Sequence, residues 1–210
     1  NYLSEKGFVS YFSRLNYDFD NKLLLTINFR RDGNSALAVG KKFGNFGGAS
    51  AGWVISHEKF FKESKLSGFL NLIKLRAGYG IVGNGNMPND YGAMNLYNAS
   101  VYGSAATWSI SQAGNKDLGW ETSKQTNIGF DAAALNDKVR MGFSFFNNNI
   151  DGLILNAPQS PSKGIPGNTI LANVGSMYNR GVELEINANI ISNKNFSWNA
   201  SFNYTNVKNR

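Results

Sequence analysis

The strongest constraint on the fold of this chain is an alternation of apolar and polar residues that recurs along its length. In residues 182–189 every second side chain is apolar, and the others are Glu or Asn. A similar period of two occurs in residues 23–30, 73–80 and 196–204. Successive side chains of a strand point to opposite faces, so each segment predicts a strand with one apolar and one polar face. Many such strands, about nine to eleven residues long, are typical of a membrane-spanning β-barrel.

The composition argues against a transmembrane helix and excludes cysteine chemistry. The mean hydropathy of the 210 residues is −0.30. Aliphatic runs such as residues 23–25 are far shorter than the roughly 20 apolar residues that a spanning helix needs. Barrel strands turn only half of their residues to lipid, so this hydropathy does not exclude a barrel. The chain has no cysteine, which excludes disulfides and thiolate metal ligands within it.

The positive charge of the chain is dispersed. The 21 Lys and Arg residues exceed the 14 Asp and Glu residues, which gives a formal net charge of +7. No basic run is longer than the pairs Arg30–Arg31 and Lys41–Lys42. A nucleic-acid-binding surface normally concentrates its cations on one patch or stripe, so we predict no nucleic-acid partner.

The periodicity predicts eight strands and almost no helix, with a short helical turn possible in residues 56–68. The predicted strands cover about 10–19, 22–31, 47–56, 70–80, 121–134, 138–149, 178–190 and 196–206. We therefore predict an all-β fold: an antiparallel transmembrane β-barrel, here an open arc of about eight strands from a larger barrel.

The connections between these strands alternate in length. The short ones are residues 18–22, 135–138 and 191–195, the long ones are 32–46, 81–120 and 150–177, and 56–69 is intermediate. When each strand is antiparallel to the next, all short turns lie at one end and all long loops at the other. Short turns at one end and long extracellular loops at the other are the layout of an outer-membrane barrel.

The two faces of the predicted strands have opposite chemistry. The side chains predicted to face lipid are Leu25, Ile27, Ile73, Leu75, Val182, Leu184, Ile186 and Phe202. Those predicted to line a hydrated interior are Arg14, Asn16, Asp18, Arg30, Lys74, Arg76, Gln125, Asn127, Asp131, Glu183 and Glu185. A soluble carbohydrate-binding β-sandwich, whose core also accepts aromatic rings, has the same alternation. The segregated loop lengths and the many polar side chains favour the barrel.

Several segments resemble, in order, the barrel of the SusC/RagA-type TonB-linked outer-membrane transporters of Bacteroidota. They are 10–17 (SYFSRLNY), 24–35 (LLTINFRRDGNS), 50–56 (SAGWVIS), 72–80 (LIKLRAGYG), 118–129 (LGWETSKQTNIG) and 179–185 (NRGVELE). The ordered series covers nearly the whole chain.

The resemblance implies a closed barrel of about 22 strands with a plug inside. Residues 1–210 are then expected to be part of its β-barrel domain, without the plug domain and without the closing C-terminal strand. It also implies a nutrient importer of the Gram-negative outer membrane, not an enzyme, which takes up oligosaccharides or peptides. The implied partners are a SusD-like surface lipoprotein and the TonB–ExbB–ExbD complex. A porin or an adhesin translocator is the alternative within the outer-membrane barrels.

Motifs that suggest other chemistry have simpler explanations. Residues 78–83 match GxGxxG, but turn residues follow where a dinucleotide site requires a helix. The single histidine, His57, has no second histidine for a zinc site or a triad. Glu183 and Glu185 lie on one strand face, not on two sides of a substrate as in a glycosidase. Residues 147–151 have too few carboxylates for a calcium loop. We predict no catalytic residue, metal or cofactor.

The long connection 81–120 is the predicted ligand-binding region. It contains Tyr91, Tyr97, Tyr102 and Trp108 among many Gly, Asn and Ser residues. Aromatic faces together with amide and hydroxyl groups suit the capture of oligosaccharides or peptides. These four rings are the candidate substrate contacts, and packing of the loop against itself is the alternative role for each.

Overall fold

Eight long strands form one continuous antiparallel sheet in the computed structural model, which describes residues 4–210. Strands are numbered in chain order. Those of the main sheet are β1 (Phe8–Phe19), β2 (Leu23–Asn34), β3 (Phe43–Val54), β4 (Leu70–Asn84), β7 (Glu121–Ala134), β8 (Val139–Asp151), β11 (Ser176–Ser192) and β12 (Ser197–Asn209). They are hydrogen-bonded in the order β1-β2-β3-β4-β7-β8-β11-β12. All eight predicted strands are confirmed, and within residues 4–210 no second sheet packs face to face on this one as a sandwich would require.

The remaining elements are short and lie in the connections. Two hairpins are formed by β5 (Leu96–Tyr102) with β6 (Ala105–Gln112) and by β9 (Ile154–Pro158) with β10 (Thr169–Asn173). The helix α1 (Lys59–Lys62) has a 3₁₀ turn on each side, at Ile55–His57 and Lys65–Gly68, and two more 3₁₀ turns occupy Pro161–Lys163 and Pro166–Asn168. No helix among residues 4–210 is long and apolar enough to cross a membrane.

The strand register divides the side chains of the main sheet between two chemically distinct faces. Leu184 lies opposite Phe143 of β8 and Tyr204 of β12, in an apolar row. Its neighbour Glu183 lies opposite Ser144 and Thr205, in a polar row. Followed across all eight strands, the register places the eight residues predicted to face lipid on one face and the eleven predicted interior residues on the other. We call these the apolar face and the polar face.

The tight turns are made by residues with left-handed backbone conformations. Asp20 and Asn21, the central residues of a turn closed by a hydrogen bond from the Lys22 N–H to the Phe19 carbonyl, have φ of 56° and 52°. The side chain of Asp18 accepts a hydrogen bond from the backbone N–H of Asn21 at 2.8 Å. Lys22 lies 2.7 Å from Asp20, and its hydrogen bond to that carboxylate lowers the pKa of Asp20. The loop that joins β7 to β8 is also left-handed, with positive φ at residues 135–137.

Long and short connections lie at opposite ends of the sheet. The turns 20–22, 135–138 and 193–196 share one end with the helical connection 55–69; we call this the turn end. The connections 35–42, 85–120 and 152–175 share the other, the loop end. The predicted segregation of loop lengths is therefore confirmed. Two expectations differ from the structure: the first long connection is shorter than predicted because β2 and β3 extend further, and the other two contain hairpins.

Candidate functional site at the loop end

The three long connections pack against one another and form a small hydrophobic core beyond the strand ends. Leu37 of the first connection, Leu118 of the second and Leu171 of the third are all buried together. Met87 joins them, and Ala36 and Ala38 complete the buried set. We call this assembly of 35–42, 85–120 and 152–175 the loop layer. Its packing makes the loops a structured platform, on which side chains can be held for binding.

Asparagine side chains hold the loop layer together. The Asn173 amide accepts a hydrogen bond from the N–H of Gly119 at 2.7 Å and donates to the carbonyls of Gly119 and Gly152 at 3.0 Å each. Asn115 donates to the carbonyl of Leu171 at 2.8 Å. Asn34, at the end of β2, donates to the carbonyl of Gly85 at 2.8 Å. Each amide satisfies backbone groups that have no strand partner, as a half-buried loop requires.

Three of the four predicted substrate contacts lie on the hairpin of β5 and β6, and all three side chains are exposed. Tyr97 and Trp108 lie on the same face of that hairpin, because Tyr97 pairs with Ile110 and Trp108 pairs with Ala99. Tyr102 lies on the opposite face, next to the turn. Trp108 is 73% and Tyr102 85% exposed, which is unusual for rings of this size.

The fourth predicted contact, Tyr91, lies at the base of this hairpin and has a structural partner. Its hydroxyl accepts a hydrogen bond from the backbone N–H of Glu5 at 3.2 Å. Its carbonyl accepts one from the Gln112 amide, which also donates to the carbonyl of Met94, both at 3.0 Å. Tyr91 and Gln112 thus fix the hairpin to the rest of the loop layer.

A cavity of about 700 Å³ opens on the polar face just below the loop layer. Its apolar wall consists of three rings: Trp120 lies edge-on to Phe46 at 5.3 Å and to Phe8 at 6.4 Å between ring centroids. The Phe46 ring covers Gly44 and Gly83, where a Cβ atom would overlap it. The indole N–H of Trp120 donates to the carbonyl of Lys42 at 3.2 Å, which fixes the ring in the wall of the cavity.

Strand β2, which lies between Phe8 of β1 and Phe46 of β3, lines the cavity with polar and charged side chains. The Arg30 Nε atom lies 2.6 Å from both carboxylate oxygens of Asp32, and its Nη2 atom donates to the Ser10 hydroxyl at 3.1 Å. Asp32 is 5% exposed, whereas half of the Arg30 side chain is accessible. Asp32 therefore orients a guanidinium group that still has free N–H donors for a ligand. Asn34 and Asn84 add amide groups to the lining.

Further from the loops, the polar face has paired charges of both signs. Arg76 lies 3.4 Å from Asp131 and donates to the Asn127 side chain at 3.2 Å. The Ser144 hydroxyl donates to Glu183 at 3.4 Å. Among residues 4–210 no three or more His, Asp or Glu side chains gather as a metal site would require.

The cavity residues were not predicted as a site from the sequence. Phe8, Phe46 and Trp120 are separated by 38 and 74 positions (46 − 8 and 120 − 46), and strand pairing brings them together. The only local signal was the glycines at 44, 83 and 85, which leave room for large rings. These glycines indicate a site only after the strand register shows which rings lie beside them.

Comparison with known proteins finds relatives that match nearly the whole chain. The model of the family described as TonB dependent receptor-like, beta-barrel, matches residues 2–210. The TonB-dependent receptor P39 of Formosa agariphila is 38% identical over 197 residues, which are 93% of this chain and 18% of that protein. The TonB-dependent receptor SusC of Bacteroides thetaiotaomicron is 34% identical over 211 residues, covering 97% of this chain and 21% of SusC.

A solved structure with the same arrangement is the RagAB peptide importer in its 'open-open' state. It matches with a TM-score of 0.88 and 29% identity, over 97% of this chain and 22% of the importer chain. The chain thus spans about a fifth of the length of the proteins it matches.

Proposed function

The chain belongs to the TonB-dependent receptor-like β-barrel family, a family of receptors and transporters and not of enzymes, and on this premise we propose that it forms part of the wall of an outer-membrane nutrient importer. The whole importer takes up oligosaccharides or peptides. The observation that carries the proposal is the register of the eight strands, which places an apolar face opposite a charged one beneath a packed loop layer.

The two faces support a position in the barrel wall. An apolar face without partners would be costly in water, at about 25 cal/mol for each Å² left exposed. In an outer membrane the same face contacts lipid, while the polar face lines the interior. The pair Arg76–Asp131 then lies in a hydrated space, where water solvates charged side chains.

The relatives support two partners for the whole importer. Similarity to SusC and to the solved RagAB importer supports a SusD-like surface lipoprotein as the partner at the loop end. We propose that the energy comes from the TonB–ExbB–ExbD complex of the inner membrane; the family description names dependence on TonB. With this orientation the loop end is extracellular and the turn end periplasmic, which agrees with the layout of outer-membrane barrels.

Substrate meets this part of the wall at two places. The first is the hairpin of β5 and β6, where Tyr97, Tyr102 and Trp108 present exposed rings. The second is the cavity, which is lined by Trp120 and Arg30 and has a volume large enough for a sugar ring or a short peptide segment. Aromatic stacking combined with a few oriented polar groups is the usual composition of such sites.

An uptake assay in cells that express the intact protein tests this proposal. Trp108→Ala should reduce the uptake of a labelled oligosaccharide or peptide about two- to tenfold, since an aromatic contact is worth roughly 0.5–1.5 kcal/mol. Barrel abundance in the outer membrane should not change, because Trp108 is 73% exposed. Loss of abundance in parallel with uptake would show a structural role for the ring.

A matched control lies at the turn end. Asn136 has φ of 57°, so Asn136→Gly removes a side chain without straining the backbone, whereas an alanine would add strain. Asn136→Gly should leave uptake unchanged. If both variants reduce uptake to the same extent, the loop end is not the site of capture.

A further inference from the structure

The loop end of the apolar face carries a group of cations. Within the eight strands, the charged residues of this face are Arg31, Lys124, Asp151, Arg180 and Lys208. All five lie in the part of their strand nearest the loops. The polar face, in contrast, mixes acidic and basic residues along its length, as Arg76 and Asp131 show. The apolar face therefore has a net positive charge near the loop end, which contact with the acyl chains of lipids does not explain.

The centre of this group is a row that crosses four strands. Arg180 of β11 lies opposite Asn147 of β8 and Lys208 of β12, and Asn147 lies opposite Thr126 of β7. Tyr178, two residues before Arg180 in β11, has its ring beneath the Arg180 guanidinium. The Cζ atom of Arg180 lies 5.4 Å from the centroid of that ring. Stacking on the ring occupies one face of the guanidinium and leaves its edge N–H groups free to bind an anion.

These cations have little acidic compensation. Asp151 lies 2.9 Å from Lys124 and neutralises it. Across residues 4–210, neither Arg180 nor Lys208 has a carboxylate oxygen within 4 Å, and both side chains are exposed. Two unneutralised cations on adjacent strands are a typical arrangement for binding a doubly charged oxyanion.

A recess beside this row adds neutral hydrogen-bonding groups. Its volume is about 410 Å³. It is lined by Thr126, Phe145, Asn147, Asn149, Tyr178 and Arg180, all of which lie on the apolar face. The recess therefore joins the cationic row to Phe145, which begins the apolar part of β8.

Below the recess the face is apolar on β7, β8 and β11. Phe145 lies opposite Val182, and the next row toward the turn end pairs Phe143 with Leu184. A ligand that fills the recess thus has an anionic or hydroxyl-rich part at Arg180 and an apolar part that continues over Val182 and Leu184. This order of chemistry is the order found in a phospholipid or a phosphorylated glycolipid, from headgroup to acyl chain.

We propose that the recess formed by β7, β8 and β11, with Lys208 of β12, binds the phosphate of a lipid headgroup in the outer leaflet. The inference goes beyond nutrient uptake and rests only on the proposed orientation of the barrel. Arg180 binds the phosphate with its free edge, Lys208 supplies the second charge, and the amides of Asn147 and Asn149 bind headgroup hydroxyls. Anionic headgroups are attracted to such basic sites at the membrane surface.

The test measures lipid binding by the intact, delipidated protein in dodecyl maltoside, with monophosphoryl lipid A as the probe and native mass spectrometry as the readout. The double variant Arg180→Gln, Lys208→Gln should weaken binding at least about tenfold, because a charge-assisted hydrogen bond is worth about one power of ten in affinity. The matched control Arg14→Gln, Lys74→Gln removes the same charge from the polar face and should bind as the unaltered protein does.

Two further arms identify the source of the phosphate. The same lipid A without its phosphate should bind as weakly to the unaltered protein as the phosphorylated lipid binds to the double variant. Inorganic phosphate at millimolar concentration should not displace the lipid, since it has no acyl chains to contact Val182. Equal binding of the dephosphorylated lipid, or equal losses in the control variant, would overturn the proposal.

If the double variant does not assemble, Lys208→Gln alone supplies the test, with a smaller loss in the same direction. Full retention of monophosphoryl lipid A by an assembled Lys208→Gln protein would also overturn the proposal. Because no substrate is present in any arm, the outcome is independent of whether the importer carries oligosaccharides or peptides.

Discussion

At the scale of single residues, neighbours in sequence have opposite environments because a strand turns them to opposite faces. Leu184 belongs to the apolar face and Glu183 to the polar face. An arginine on the lipid side of a barrel costs about 2–4 kcal/mol near the membrane midplane, and far less in the interior. Leu184→Arg should therefore reduce the amount of folded, heat-modifiable barrel in the outer membrane much more than Glu183→Arg does. Equal losses would contradict the assignment of the faces.

At the scale of elements, the loop layer depends on a few side chains that bridge two connections. Asn173 bonds to backbone groups of Gly119 and Gly152. In Asn173→Ala these groups lose their partners, at a cost of about 1–3 kcal/mol for each buried group left unpaired. We expect faster cleavage of the long connections by protease on whole cells, with barrel abundance unchanged. Asn98→Ala, an exposed asparagine of the β5–β6 hairpin, is the control and should leave cleavage unchanged.

The sequence predicts those elements whose pattern is local. Residues 181–189 alternate without interruption, and the strand there was predicted almost to its ends. The hairpins β5–β6 and β9–β10 were missed, because their strands are short and stand in segments rich in Gly, Asn and Ser, which resemble loops. The core of the loop layer was missed for another reason. Leu37, Leu118 and Leu171 come from three separate connections, and no periodicity relates them.

At the scale of the whole molecule, the sheet is open at both sides. β1 pairs only with β2, and β12 pairs only with β11, so each outer strand has one unpaired edge among the described residues. The apolar face is also uncovered. Exposed edges and apolar faces promote association of chains. Residues 1–210 expressed alone should aggregate in buffer without detergent, as sedimentation will show. A sharp, cooperative thermal transition of a monomer in such buffer would mean that the sheet does not depend on a barrel or a membrane.

The orientation of the barrel is the property on which both proposed binding sites depend. Every strand of the main sheet runs antiparallel to its neighbours, so the connection that contains the β5–β6 hairpin and the β7–β8 turn lie at opposite ends of the sheet. In the proposed orientation a cysteine at Ser104, next to the tip, is extracellular, and one at Asn136 is periplasmic. An impermeant thiol reagent applied to whole cells should label Ser104→Cys and not Asn136→Cys. After the outer membrane is permeabilised, both should be labelled, which controls for reactivity. The reverse pattern on whole cells would place the loop layer in the periplasm, away from any extracellular substrate, and the cationic row at the inner leaflet.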